Sequence, residues 1–506
     1  MEVPTSPESN HVPPESGPRA DAVAPGVRDP LMQPDGAGAV EDDGTPPSEP
    51  DPAPLPERIR RPISVRTRRL FLQVGLPWAA AVLVGLFSVL YADWSTDVYD
   101  IFVRWVTPRW WLAFVLTPSL TVIAVYLTRR WFYGSEGSGI PQVIAAIHAP
   151  RTDDDTRLMR RLFGLRVIIG KLGLSLIGLL GGLTLGREGP TVHIGAAIMA
   201  ETRRFYPHRS LRLERQLLLA GAAAGLSGAF NTPLAGIIFA LEEIARDFSS
   251  RTNGTMITAV VFAGLTSLAL AGNYLYFGQL NVPEGLHLSF ALPVIVSAIA
   301  CGLLGAAFNL ALLRWTTWMP KPLRALKVKR PLWYALLSGF IIASIGVATR
   351  GQTWGSGYDQ ARALLHGTAP LSQAFGATKW VSLVVSYLVG LPGGIFSPSL
   401  AIGAGIAQWV HALFSWTSMA AVIALCMTGY LAAVTQSPIT SFVIVMEMTN
   451  GTGMVIPMMA TALVAARVAN LFTPPLYETL AEQKYFEYKP PPEARAEHGD
   501  QIAEAT

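Results

Sequence analysis

The chain is poor in cysteine and in charge. Its 506 residues include only Cys301 and Cys426. Both lie in apolar stretches and read as packed free thiols rather than as a disulfide or a metal site. Charged residues make up 15% of the chain and hydrophobic residues 51%, with a mean hydropathy of +0.36. That balance is too apolar for an ordinary soluble enzyme. No His-Glu-x-x-His metalloprotease motif occurs, and nothing in the sequence asks for a metal, a cofactor or a nucleic acid. The start lacks the basic segment, apolar core and cleavage site of a signal peptide. Residues 1–57 also lack aromatics and hold 12 acidic against two basic residues among many prolines. Such a segment cannot bury enough apolar surface to offset its ordering entropy, so it is expected to be a disordered acidic tail. The net charge of +4 averages that tail with basic flanks further on.

What the chain has instead is one apolar stretch after another. The clearest run from Leu70 to Ala92, Leu288 to Leu313 and Leu332 to Ala348. Others lie near 110–127, 164–185, 217–241, 256–276, 376–413, 417–447 and 454–472. A helix needs about 20 apolar residues to cross a bilayer core. Several stretches are shorter, longer, or interrupted by Gly and Pro, a pattern of re-entrant and discontinuous helices lining a cavity. Arginines crowd the entrance to the first span, at Arg58, Arg60, Arg61, Arg66, Arg68 and Arg69, whereas the next loop is expected to carry Asp93, Asp97 and Asp100. The second span ends at Arg129 and Arg130, with later basic clusters at Arg203–Arg215 and Lys321–Arg330. Positive-inside counting therefore puts the amino terminus in the cytoplasm. Only 31 residues follow Pro475, too few for a regulatory domain.

The chain also repeats itself. Pro190-Thr-Val-His-Ile-Gly-Ala-Ala-Ile198 resembles Pro398-Ser-Leu-Ala-Ile-Gly-Ala-Gly-Ile406. Asn231-Thr-Pro233 with its apolar run to Glu242 resembles Gln436-Ser-Pro438 with its run to Glu447. Gly137-Ser-Gly139 is echoed by Gly355-Ser-Gly357. Three landmarks in the same order indicate two structural halves, roughly 70–276 and 288–475. In transporters such repeats place the substrate at the interface between halves.

Three motifs suggest what that interface would bind: Gly137-Ser-Gly-Ile-Pro141, Gly186-Arg-Glu-Gly-Pro190 and Gly393-Gly-Ile-Phe-Ser-Pro398. Each sets glycines just before a Pro suited to the first turn of a helix. Gly137, Gly139, Gly186 and Gly189 would let the backbone turn sharply beside Arg187 and Glu188, leaving the first helical N–H groups free. Those groups and the helix dipole attract an anion without placing a full positive charge in the membrane.

In this order and separation, the three motifs resemble the CLC family of chloride channels and chloride/proton antiporters. The resemblance covers roughly residues 70–485. It extends to Lys171, to Phe230-Asn-Thr-Pro-Leu-Ala-Gly-Ile-Ile-Phe-Ala-Leu-Glu-Glu243 and to Pro475-Leu-Tyr477. It implies an all-α polytopic membrane protein, an inverted repeat of many tilted and re-entrant helices at 58–485, followed by a disordered tail at 486–506. It also implies a homodimer with one ion pathway per subunit in the cytoplasmic membrane, both termini inside, of a prokaryotic type without regulatory domains. By the same resemblance, Ser138 and Tyr477 match hydroxyls that contact a central chloride. Ile395 and Phe396 match residues whose backbone N–H groups complete that site. Glu188 matches the gating glutamate and Glu243 the inner proton glutamate.

The physics of the Glu188 assignment is simple. A carboxylate is itself an anion and can occupy a chloride position; once protonated it stops competing and swings away. An ion pair with Arg187 is the alternative. Of the adjacent Glu242 and Glu243, which project about 100° apart on a helix, one is free to cap a helix or to pair with Arg246. An acid at Glu243 favours a chloride/proton antiporter over the passive chloride channel that is the alternative. Lys171 and Glu447 stand open between structural pairing and a direct role. Ser138 favours chloride, since nitrate-preferring members of the family tend to have Pro there. A rival from another class is an intramembrane serine protease, suggested by Gly225-Leu-Ser-Gly228. Its serine would need a nearby His, and His193 lies in an apolar stretch. Packing of helix against helix is the simpler role for Ser227.

Overall fold

The structure, a computed structural model, describes residues 75–149, 157–206, 210–246, 253–272, 274–280 and 290–485. The tails at 1–57 and 486–506 and the arginines of 58–69 lie outside the described residues. The first half comprises α1 (Leu76–Val106), α2 (Ala113–Arg130), α3 (Ile140–His148), α4 (Arg157–Phe163), α5 (Leu165–Leu180), α6 (Glu188–Glu201), α7 (Leu211–Phe230), α8 (Pro233–Phe239) and α9 (Asn253–Ala271). A π-helical turn, Ala240–Ala245, extends α8. The second half comprises α10 (Ala291–Trp318), α11 (Lys321–Lys329), α12 (Pro331–Ala348), α13 (Tyr358–His366), α14 (Phe375–Leu388), α15 (Phe396–Leu413), α16 (Met419–Thr435), α17 (Pro438–Thr449) and α18 (Val455–Asn470). A final helix, α19 (Leu476–Tyr485), follows.

The fold is an all-α inverted repeat. The pairs α1/α10, α2/α12, α3/α13, α5/α14, α6/α15, α7/α16, α8/α17 and α9/α18 recur in order, with α4, α11 and α19 outside the pattern. Local backbone chemistry recurs with them. Asn231 (φ +56°) and Gln436 (φ +59°) each end a helix in the left-handed conformation, and each is followed two residues later by the Pro that opens the next helix. This left-handed cap closes one helix, and the Pro starts its successor without wasting an N–H. The apolar stretches at 217–241 and 417–447 are therefore split into two helices each. The stretch at 376–413 is split by a third break, where Gly390 takes a φ of +86°.

Two classes of helix result. Among the described residues, seven helical segments are long and apolar enough to cross a membrane. They turn large apolar side chains outward, for example Leu83 on α1, Val115 on α2, Leu265 on α9, Leu292 on α10 and Leu463 on α18. Lipid suits such side chains; water would not. By contrast, α6, α7, α15 and α16 are buried along most of their length. One expectation changes: Asp93, Asp97 and Asp100 lie within the 31-residue α1 rather than in a loop. A helix of that length is roughly 46 Å long at 1.5 Å per residue, so its acidic end reaches past a hydrocarbon core.

The buried helices approach one another through glycine. A side-chain carbon on Gly195 of α6 would lie 2.5 Å from the Gly221 carbonyl of α7, and one on Gly221 would lie 2.3 Å from the Gly195 carbonyl. The equivalent contact in the second half sets Gly403 of α15 against α16, with 2.5 Å to the Cys426 carbonyl. Cys301 and Cys426 are buried free thiols beside this contact, and the Cys301 thiol points at the Cys426 carbonyl. Gly195→Val or Gly403→Val should force the paired helices apart at a cost of about 1–3 kcal/mol or more. The expected outcome is a lower melting temperature and less monodisperse protein after extraction. Wild-type melting in both variants would refute the close-packing account.

Candidate functional site

Three helix starts meet at one point because glycines remove the side chains that would hold them apart. Gly137 and Gly139 precede α3 with φ of +74° and +104°, a conformation that favours glycine. A side-chain carbon on Gly139 would lie 2.5 Å from His193 Cβ, and one on Gly189 would lie 2.3 Å from Ser138 Oγ. Between the halves, Gly186 N–H donates to the Gly394 carbonyl at 2.8 Å and Gly394 N–H returns the bond to Gly186 at 2.6 Å. Gly137 N–H donates in turn to the Leu391 carbonyl at 3.1 Å. The first turns of α3, α6 and α15 thereby converge, each with N–H groups that no intrahelical carbonyl can satisfy.

Glu188 is the first residue of α6 and is buried. Its carboxylate reaches across to the first turn of α15, where Ser397 Oγ donates to Oε1 and Ser397 N–H donates to Oε2 at 3.4 Å. An acidic side chain of one half thus sits at the positive end of a helix of the other. Gly186 leaves room for it, since a side-chain carbon there would lie 2.5 Å from Glu188 Oε2. Arg187 turns elsewhere: Nη1 donates to the Ala92 carbonyl at 2.9 Å, and the guanidinium lies over the Tyr276 ring at 5.7 Å from its centroid.

Around this carboxylate lie polar groups without partners. Ser138 Oγ and the Tyr477 hydroxyl are both buried, and neither has a hydrogen-bond partner among the described residues. A buried hydroxyl left unpaired is costly unless something else occupies the space beside it. Tyr477, near the start of α19, stacks its ring on Phe396 (6.2 Å between centroids, 12° between planes). Ile395 and Phe396 open α15, so their N–H groups belong to the unpaired first turn. The Ser138 hydroxyl lies next to the Tyr477 hydroxyl, with Tyr387, Glu188 and Glu243 within electrostatic range of it.

Two cavities flank these groups. One, of about 150 Å³, is lined by Ser95, Tyr99, Arg187, Tyr276 and Asp359. The other, of about 580 Å³, is lined by Arg129, Glu136, Lys327, Tyr387 and Lys484. The first touches the end of α1 and the second the end of α2. Consecutive spans end on opposite sides, so the cavities open to opposite faces. Arg129, Lys327 and Lys484 outnumber Glu136 at the second mouth and give it a positive character suited to anions, whereas the first carries Arg187 and Asp359.

Glu243 lies in the π-helical turn, buried. Ser437 Oγ donates to its Oε2, while Oε1 has no partner among the described residues. Glu242 takes a different course, accepting from Ile439 N–H at 3.0 Å and Thr440 N–H at 2.6 Å and so capping α17. Glu447 does the same for α8, accepting from Leu234 N–H at 3.1 Å and Ala235 N–H at 2.7 Å. Arg246 pairs with Glu478 on α19. His148 Nε2 donates to the Ile244 carbonyl at 2.8 Å, tying α3 to the turn that holds Glu243.

Lysines hold the glycine loops from behind. Lys171 Nζ donates to the Gly137 carbonyl at 3.0 Å. Its counterpart Lys379 donates to the carbonyls of Thr353 (2.9 Å) and Gly355 (2.8 Å). Sequence reasoning passed over Lys379 and Ser397. The signal for Lys379 was the repeat itself, which carries Lys171 onto it just as it carries Gly137 onto Gly355. Ser397 stood inside a quoted motif with no role given. Ser227 packs against Gly236 of α8 and its hydroxyl has no hydrogen-bond partner among the described residues. His193 lies edge-on to Phe163 at 4.8 Å between ring centroids. Among the described residues, no hydrogen bond joins Ser227 to His193.

The family model described as voltage gated chloride channel matches residues 120–470. The H(+)/Cl(-) exchange transporter ClcA of Salmonella arizonae is 33% identical over 390 residues, covering 73% of this chain and 78% of the relative. The protein of the same name from Salmonella newport is 33% identical over the same shares. Among solved structures, a slow cyanobacterial Cl-/H+ antiporter aligns over 81% of this chain and 97% of its own, with a TM-score of 0.66 and 25% identity. A eukaryotic CLC transporter aligns over 83% of this chain and 75% of its own with a TM-score of 0.68; at 21% identity it speaks for the fold alone.

The seat of Glu188 can be tested through Ser397. Ser397→Ala removes one charge-assisted hydrogen bond, worth about 1.5–3 kcal/mol, and leaves the backbone N–H in place. A halide competing for the start of α15 should then bind roughly tenfold or more tightly, as read by isothermal titration of the purified chain. Unchanged halide affinity would show that the Ser397 hydroxyl does not hold the carboxylate there.

Proposed function

The chain belongs to the CLC family, and from that membership we propose that it is a chloride/proton antiporter, exchanging chloride against protons across the membrane. The observation that carries the proposal is the Glu188 carboxylate seated at the first turn of α15, beside two buried hydroxyls that lack hydrogen-bond partners among the described residues. The names of the relatives point the same way.

Ser138 Oγ, the Tyr477 hydroxyl and the N–H groups of Ile395 and Phe396 hold the chloride. Gly137, Gly139, Gly186 and Gly189 bring those donors to one point, and Arg187 draws anions to one mouth. Glu188 competes with chloride while it is ionised. When protonated it loses its charge-assisted bonds to Ser397, leaves the helix start, and carries its proton to the opposite side. Glu243 supplies that proton from the side of Arg246 and His148. Its unpartnered Oε1 suits an acid that must exchange protons. The exchange makes and breaks no covalent bond beyond the proton transfers, so the protein acts as a transporter and not as an enzyme.

Its placement follows the same reading. The basic end of α2 and the basic α11 would face the cytoplasm, with both termini on that side of the cell membrane. Exposed apolar residues of α8, α9, α17 and α18, among them Leu234, Ile257, Ile439 and Ile456, would be covered by a second copy in a homodimer. The acidic 1–57 and the short 486–506 would flank the transmembrane domain as tails.

Glu188→Gln cannot ionise or carry a proton. In liposomes it should keep chloride flux while chloride-driven proton uptake falls to background. Glu243→Gln should likewise abolish proton flux and spare chloride. Proton uptake at the wild-type rate in the first variant would refute the role of Glu188. Both fluxes intact in the second would remove the case for antiport.

A further inference from the structure

One charged surface takes no part in the exchange. Helix α11 joins the membrane-spanning α10 and α12, and none of its residues is buried. From Arg314 to Arg330 the chain carries Arg314, Lys321, Arg324, Lys327, Lys329 and Arg330 and no Asp or Glu. Among the described residues, no ion pair links Lys321, Arg324, Lys329 or Arg330 to an acidic side chain. Unpaired lysines and arginines packed this closely repel one another and call for an external anion.

The helix sorts its side chains by face. At 100° per residue, Arg324, Val328, Lys321 and Lys329 fall within about 140° of one another, opposite Leu323 and Leu326. The first group is exposed, and the second is half-buried with Lys327. Lys327 turns inward, where it lies over the Tyr334 ring at 5.5 Å from its centroid and lines the 580 Å³ cavity. The outward face thus carries three cations around the apolar Val328, which is 71% exposed. Trp318 and Trp333, 57% and 60% exposed, stand at its two ends. Exposed tryptophans at the ends of spanning helices mark the headgroup level of a bilayer. A short basic helix lying at that level, with an apolar residue between its cations, fits an interfacial segment.

We propose that the outward face of α11 is a binding site for anionic phospholipid, its phosphate held by Lys321, Arg324 and Lys329 and its acyl chains lying along Trp318, Val328 and Trp333. Charge complementarity singles out this occupant: a neutral headgroup would leave the three cations uncompensated. The leaflet also fits. Arg129, at the end of α2, lines the same cavity as Lys327, so two basic clusters share one side, which positive-inside counting assigns to the cytoplasm. The inference rests on the chain being a membrane protein and not on antiport, so the two can fail separately.

Native mass spectrometry of the full chain in detergent, titrated with phosphatidylglycerol or phosphatidylcholine, tests the site. Wild-type protein should retain phosphatidylglycerol over phosphatidylcholine by roughly fivefold or more, with the preference shrinking as salt rises. The K321Q/R324Q/K329Q variant should lose most of that preference, and K321R/K329R should keep it. Single R324Q and K329Q variants, expected to give intermediate preferences, serve if the triple variant does not fold. Equal retention of the two lipids by wild type would overturn the proposal. So would a wild-type preference in the triple variant, or in both single variants.

Discussion

The pair of hydrogen bonds that Gly186 and Gly394 exchange is the contact on which the rest of the site depends. Two residues that trade both bonds in antiparallel fashion are related by a local two-fold axis, so this contact sits where the two halves of the repeat turn about one another. Glycine suits both sides: a side-chain carbon on Gly394 would lie 2.8 Å from the Gly189 nitrogen of the other half, and one on Gly186 would lie 2.5 Å from Glu188 Oε2 and 3.0 Å from Pro398 Cδ. With the two loops locked back to back, the helices that follow them, α6 and α15, must start beside one another. Each then offers its unpaired N–H groups to a shared space. The position of Glu188 follows: a carboxylate at the start of α6 needs to reach only the first turn of α15 to find donors.

The same two-fold logic governs the charges. A low-dielectric interior penalises an unpaired ion heavily, and here backbone dipoles rather than opposite charges take up much of the load. Glu242 caps the helix that carries Glu447, and Glu447 caps the helix that follows Asn231, a reciprocal exchange between α8 and α17. Lys171 and Lys379 each hold the carbonyl of a glycine in equivalent loops. Several buried groups have no hydrogen-bond partner among the described residues, and three of them serve the exchange on the proposed reading: the Ser138 and Tyr477 hydroxyls and one oxygen of Glu243. A site that hands over an anion and a proton must keep some of its hydrogen bonds open.

Much of this was legible in the sequence, for identifiable reasons. Gly-Pro clusters mark helix starts by local sterics alone, and three of them in fixed order pointed to the starts of α3, α6 and α15. The repeat was visible because Asn231-Thr-Pro233 and Gln436-Ser-Pro438 solve one backbone problem in the same way, a left-handed stop followed by a proline start. What stayed hidden depends on contacts between distant segments. Ser397 looked like a filler before Pro398 until its hydroxyl was seen to meet Glu188 from the other half. Lys379 binds carbonyls of a loop more than 20 residues upstream, and no spacing rule reports a lysine-to-carbonyl contact. The adjacent Glu242 and Glu243 diverge as helical geometry requires, but only the packing of α8 on α17 shows which of them becomes a cap. The aspartates near the end of α1 misled because hydropathy marks where apolar residues stop, not where a helix does.

The central claim is that one buried carboxylate yields its place to chloride and carries a proton when it does so. The most direct test uses the unaltered chain in liposomes loaded with chloride, with the membrane voltage clamped near zero and an opposing proton gradient imposed. Chloride running out should draw protons in, uphill against their own gradient. Chloride efflux with protons moving only down their gradient would contradict the account.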